Sequence, residues 1–216
     1  LVADQPGLPS GATIAKMDSM TTDQTSEPTQ SATSSPARQA WKENAQILLI
    51  AVILAILIRI FVAEPRFIPS DSMVPTLQIG DRIVVEKLSY YARSPHPGDI
   101  IVFDPPPLLQ QQGYDKDQAF IKRIIAQAGQ TVQVQNGKVY VNHVPLTEPY
   151  IQAPPEYIWG PVQVPADHYV VMGDNRNNSN DSHIWGFLPR QNIIGRAWFR
   201  FYPFGRTGFL KLQVMQ

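Results

Sequence analysis

Two serines, Ser70 and Ser72, flank a single residue in the stretch Pro69-Ser70-Asp71-Ser72-Met73-Val74-Pro75-Thr76-Leu77. Each proline fixes its own φ and biases the residue before it toward extended backbone. A serine on so restrained a backbone keeps its hydroxyl in place, as nucleophilic attack requires. Taken alone, the same stretch reads as an ordinary Ser/Pro turn. A hydroxyl attacks only when a base takes its proton, and Phe120-Ile121-Lys122-Arg123-Ile124-Ile125 contains a candidate base. Two cations stand there in an otherwise apolar strand, and alternation sends Lys122 to one face and Arg123 to the other. A lysine turned inward is costly unless it is neutral or partnered. A neutral lysine, its reference pKa of ~10.4 lowered by burial, is a usable general base. The competing reading is an edge-strand lysine that faces water and deters aggregation. A third patch, Gly173-Asp174-Asn175-Arg176-Asn177-Asn178-Ser179-Asn180-Asp181-Ser182, is polar throughout and follows the apolar Tyr169-Val170-Val171-Met172. Such a run suits a solvated turn, and its density of donors and acceptors also suits the bracing of reactive side chains.

The elements that must position these groups are short strands. Arg82 to Lys87 and Asp99 to Phe103 are β-branched runs bounded by Gly-Asp turns, and Phe120 to Ala126 reads as another strand. Thr131 to Gln135 and Lys138 to Asn142 flank Asn136-Gly137, the dipeptide of a type I′ hairpin. Later strands are expected at Tyr169 to Met172 and Arg196 to Phe201, and Asp104 to Gln118 is expected as an exposed loop. Trp198 to Phe204 interleaves aromatics with Arg200, which fits either a core strand or an apolar rim that meets lipid. The fold class expected is mainly β, in coiled, partly barrel-like antiparallel sheets.

Ahead of the strands, Ala45 to Ala63 is almost wholly apolar. Its length of about 28 Å, at ~1.5 Å per residue, matches a bilayer core, and Arg59 lies near enough to its end to snorkel. The expected organisation is a disordered tail at 1–40, rich in Ser, Thr, Gln and Pro, a transmembrane anchor at 41–63 and a β-rich domain at 64–216. More than forty residues precede the span and no A-x-A site follows it, which favours a retained anchor over a cleaved signal. Arg38 and Lys42 on one side nearly balance Arg59 and Arg66 on the other, so charge bias leaves orientation open.

Composition narrows the chemistry. The 216 residues carry a formal net charge of zero and no cysteine. Thiol catalysis, disulfides and thiolate metal sites are excluded, and nothing suggests a nucleic-acid partner. The four histidines, His96, His143, His168 and His183, lack the spacing of a helical metal pair, so neither a metal nor a cofactor is expected.

Taken together, the anchor, PSDSMVPTL, GDIIVF, IKRII and GDNRNNSNDS resemble, in order, the type I signal peptidases, membrane-bound Ser–Lys proteases. The resemblance covers about residues 45–202. It implies that Ser72 is the nucleophile and Lys122 the general base. Ser70 would complete the oxyanion hole with the Ser72 N–H, and Ser179 would orient the lysine. Asp174, Arg176, Asp181 and Arg123 would support the site, Asp174 acting through Arg123. It further implies cleavage of preprotein signal peptides after small residues in an A-x-A-like motif. The enzyme would be a single-pass, monomeric protein in contact with the lipid bilayer. Its membrane would be the bacterial plasma membrane or a related internal one, with a cytoplasmic N-terminus and the catalytic domain on the trans side. Three departures stand out. Asp71 replaces a common glycine, Ala126, Ala128 and Gln130 stand where Gly, Pro and Asp are frequent, and His183 stands where Arg is frequent. Two other readings stay open. One is a self-cleaving Ser–Lys regulator of the SOS-repressor type. The other is an inactive membrane-tethered interaction module.

Overall fold

The structure is a computed structural model that describes residues 36–211. The expected disordered tail therefore falls, for residues 1–35, outside the described residues. Its last positions, from Pro36, instead open helix α1 (Pro36–Phe61), and proline is favoured in a first helical turn, where its missing N–H costs nothing. The chain divides at Asn44/Ala45 into two units, and the strands and the site described below belong to the second. From Ala40 to Arg59 the helix is long and apolar enough to cross a membrane, and none of that window is buried in protein. It stops at Phe61, two residues before the expected end, because Ala63 already belongs to a strand.

Among the described residues twelve strands form two antiparallel sheets. The larger holds β1 (Ala63–Phe67), β2 (Arg82–Glu86), β3 (Ile100–Phe103), β4 (Phe120–Gln127), β9 (His168–Met172), β10 (Leu188–Pro189), β11 (Ile193–Tyr202) and β12 (Gly208–Phe209). Its order is β1-β2-β11-β3-β4-β9-β10, with β12 added to β11. The smaller sheet runs β7-β6-β5-β8, from β5 (Thr131–Gln135), β6 (Lys138–Val141), β7 (Val144–Pro145) and β8 (Trp159–Gln163). The β5–β6 hairpin turns at Asn136 and Gly137, with φ of 51° and 72°, the paired positive values of a type I′ turn.

Several elements depart from the sequence reading, among them two edge strands and one short helix. The strand β1 contains Glu64, Pro65 and Arg66, a composition that argues against a strand, yet it lies at the sheet edge, where a proline costs no ladder bond. Gly160-Pro161 likewise masks β8, an edge of the smaller sheet. Within the expected loop 104–118, Pro107–Gln111 forms a short helix, α2, that buries Leu109.

Three apolar clusters hold the larger sheet. Ile68, Met73 and Leu77 pack on Ile83, Val85, Ile100, Val102, Ile121 and Ala197, and so seat the 68–77 segment on β2, β3, β4 and β11. Burying each such aliphatic side chain contributes roughly 1.5–3 kcal/mol. Val132, Val134, Val139 and Val141 of the smaller sheet pack on Ile125, Val170 and Met172 of the larger one. Phe103, Ile124, Val171, Trp185 and Leu188 form the third cluster.

Candidate active site

The 68–81 segment is a loop whose ends are pinned together. The Ile68 N–H donates to the Asp81 carbonyl and the Gly80 N–H to the Ile68 carbonyl. Inside it, Val74 N–H bonds Asp71 O and Leu77 N–H bonds Met73 O, while Met73 and Leu77 are wholly buried beneath. That anchorage holds Ser72, which is 6% exposed, facing β4.

Across from it, Lys122 pairs with Ile101 of β3, so the GDIIVF stretch is the scaffold on which the lysine rests. Alternation predicts only one of the two cations inward. In fact both are buried, with Lys122 3% and Arg123 1% exposed. The Lys122 Nζ donates to the Ile121 carbonyl at 2.9 Å and lies 2.8 Å from Ser72 Oγ. Burial pushes the amine down from 10.5 to about 8, against the opposing pull of the Asp181 and Asp174 carboxylates. With one N–H on Ile121, a neutral amine has its lone pair free for the serine proton. Ser70 Oγ lies 3.3 Å from Ser72 Oγ on the solvent side. Among the described residues nothing accepts from the Ser72 N–H, while the Ser72 carbonyl accepts from Asn175 N–H at 3.0 Å.

The polar run after β9 wraps this pair. Asp174, fully buried, takes Arg123 in a two-point pair of 2.8 and 2.7 Å and accepts from Thr76 Oγ1 at 2.5 Å. Arg123 also donates to the Gly98 carbonyl and stacks 4.0 Å above the Tyr150 ring. Arg176, also fully buried, grips Glu148 at 2.6 and 2.8 Å and donates to the Gly173 carbonyl. Asp181 accepts from the Gly173 and His183 N–H groups and touches His183 Nδ1 at 2.6 Å, and the imidazole stacks on Tyr157. Ser179 Oγ is buried close to Ser72 and, among the described residues, has no hydrogen-bond partner, Lys122 included. Gly173 permits this approach, since a Cβ there would collide with both Ser179 Oγ and the Ser72 carbonyl. Asp71 turns away from the lysine, its carboxylate accepting from Asn178 Nδ2 at 2.9 Å.

All eight residues singled out in the sequence thus fall in one region. Sequence reasoning missed Thr76, Glu148, Tyr150, Gly173 and Asn175. Glu148 and Tyr150 lie in an unremarkable stretch with no motif to flag them. Gly173 could have been found, because a glycine between a buried strand and a polar run often marks close backbone approach. Alongside, a cavity of about 100 Å³ is lined by Phe67, Ile68, Pro69, Ile83, Val102 and Ile121, among others. The arrangement joins a positioned hydroxyl, a buried weakly basic amine, a spare N–H and a small apolar cavity, which is what acyl transfer from a peptide needs.

The class this defines is a serine hydrolase, and comparison with known proteins agrees on a serine peptidase. The family model described as signal peptidase, peptidase S26, matches residues 41–202. The chain is 62% identical over 179 residues to the probable signal peptidase I-1 of Synechocystis sp., covering 82% of this chain and 91% of that protein. It is 55% identical over 184 residues to signal peptidase I of Leptolyngbya laminosa, covering 85% and 91%. It is 47% identical over 161 residues to the probable thylakoidal processing peptidase 2, chloroplastic, of Arabidopsis thaliana, covering 74% of this chain and 44% of that protein. A solved signal peptidase I from Enterococcus faecalis V583 aligns with 48% of this chain and 97% of that one at 29% identity, TM-score 0.37. The chain belongs to the signal peptidase family, peptidase S26, and is a serine peptidase.

Proposed function

We propose that Ser72 and Lys122 act as a catalytic dyad that removes signal peptides from exported preproteins. The observation that carries this reading is the 2.8 Å approach of a wholly buried amine to Ser72 Oγ. Neutral Lys122 takes the Ser72 proton as Oγ attacks the scissile carbonyl. The carbonyl π electrons pass to oxygen, and the Ser72 N–H with the Ser70 hydroxyl stabilises that oxyanion. Collapse breaks the C–N bond, and Lys122 returns the proton to the departing amine. Water, deprotonated by Lys122, then hydrolyses the acyl-enzyme and regenerates Ser72. Arg123, Asp174, Arg176 and Asp181 hold the wrapping loop, and Ser179 packs beside the dyad.

The cavity of about 100 Å³ supports a preference for small side chains before the cut. In the proposed topology α1 spans the membrane once. The N-terminus lies on the side where preproteins are made, and the 64–216 domain lies on the opposite side. The membrane is a bacterial plasma membrane or a related internal one, and the enzyme works as a monomer against the lipid surface. The test is cleavage of a preprotein by detergent-solubilised protein, wild type beside Ser72→Ala. Wild type should release the signal peptide and the variant should not; equal cleavage by both would refute the assignment.

A further inference from the structure

The helix α1 gives way to β1 at Val62, and the Val62 carbonyl accepts from the Lys87 N–H at 2.9 Å. The segment after β2 is thereby tied to the point where the apolar helix stops. A cavity of about 260 Å³ opens beside this tie, lined by Lys87, Tyr90, Tyr91, Arg190, Ile193 and Ile194 among others. None of the dyad residues reaches it.

One of its cations stands apart from the rest. Lys87 Nζ lies 3.0 Å from Glu64, whose carboxylate also holds Arg66 at 2.5 Å. Burial pulls the Glu64 carboxyl up, yet these two cations outweigh it and keep the group below the ordinary value. Among the described residues the Arg190 guanidinium has neither an ion-pair nor a hydrogen-bond partner. The neighbouring charges are matched, Arg196 with Glu86 and Arg93 with Asp99, and Tyr90 donates its phenol to Asp99. Tyr91 in its lining is 75% exposed, and Leu88, next in the chain to Lys87, is 51% exposed. A guanidinium without a partner beside exposed aromatic and aliphatic groups is the composition of a membrane interface.

We propose that this cavity holds the headgroup of an anionic membrane lipid, its oxyanion gripped by Arg190 and Lys87. The inference rests on the reading of α1 as a bilayer span that ends at Phe61, which sets the cavity at headgroup depth. A guanidinium fork with no carboxylate to satisfy it matches a phosphate-type oxyanion in two-point geometry. Tyr91 and Leu88 would meet the upper acyl chain.

Native mass spectrometry of the full chain in detergent tests this, with phosphatidylglycerol, phosphatidylcholine of the same acyl chains and inorganic phosphate as probes. Each cation near an anionic surface is worth ~1 kcal/mol, or about fivefold in binding. Wild type should therefore retain phosphatidylglycerol some 25-fold better than phosphatidylcholine, as expected for about two such cations. Arg190→Gln should reduce that preference about fivefold and Arg190→Lys should keep most of it. Lys138→Gln, an exposed cation on the smaller sheet, should change nothing. Equal retention of the two lipids, an unaffected Arg190→Gln, or the same loss in Lys138→Gln would overturn the proposal. Displacement of phosphatidylglycerol by equimolar inorganic phosphate would overturn it too, since the site would then take a free anion. Cleavage of a soluble signal-peptide analogue, run on the same samples, should be equal in all variants. Its absence in wild type would refute the peptidase reading and leave the lipid comparison standing.

Discussion

Cleavage should depend on pH through one buried amine. Lys122 is brought down from 10.5 to about 8 because burial disfavours its charged form. At pH 7 that leaves about one-tenth of the amine neutral, against roughly one part in three thousand for a lysine of ordinary pKa, a gain of about 300-fold. The neutral fraction should reach about half at pH 8 and nine-tenths at pH 9. If the neutral amine is the base, kcat/KM for a soluble peptide should rise about tenfold between pH 7 and 9 and then level off. The assay is initial rates from pH 6 to 10.5 at constant ionic strength, with substrate well below KM. A rise of tenfold per unit continuing past pH 9.5 would mean that burial does not lower this lysine. A limb centred near 6.5 that survives in Lys122→Arg would point to a histidine instead and refute the dyad.

The same shift should be visible in stability. A folded pKa below the unfolded one means the unfolded chain holds an extra proton between about 8 and 10.5, so stability rises with pH across that window. Below it the fold carries a penalty of about 3 kcal/mol. Lys122→Met should then raise Tm at pH 7 and gain much less at pH 10.5; an equal gain at both would contradict this. Ser70→Ala should lower single-turnover rate by roughly 10²–10³ with little change in KM, if its hydroxyl serves the oxyanion, and a wild-type rate would remove Ser70 from the mechanism. Glu148→Gln strands a buried guanidinium, Arg176, and should cost about 3–5 kcal/mol in denaturant unfolding, whereas an unchanged midpoint would show that the pair contributes nothing.

Where the chemistry is local, the sequence was readable. Asn136-Gly137 announced its hairpin because both residues tolerate positive φ, and the apolar context of Lys122 announced a buried strand. Ser70, Ser72 and Lys122 stood out because a hydroxyl and an amine need only the right backbone around them. Two partners of the bracing residues, Glu148 and Thr76, were invisible for the opposite reason. Glu148 acquires meaning only when Arg176 folds against it, and Thr76 only when Asp174 arrives from far along the chain. The polar run after β9 offered so many like residues that spacing could not say which would face Ser72. β1 and β8 were missed because edge position, a property of the whole sheet, licenses their prolines.

The place of β11 in the sheet has a consequence for the newly made chain. It lies between β2 and β3, strands encoded roughly 90 to 110 residues earlier, and it delivers Arg200 to the Thr76 carbonyl and, with Arg206 just beyond it, to Asp81. Until the ribosome has released residues 193–206, β2 and β3 have no strand between them and the serine-bearing loop lacks these ties. The apolar seat of that loop is then also short of Ala197. Synthesis order thereby leaves assembly of the site waiting on a strand made well after β2, β3 and β4. A chain stopped before residue 193 should accordingly show no cleavage of a soluble peptide, and activity in such a fragment would show that β11 is dispensable.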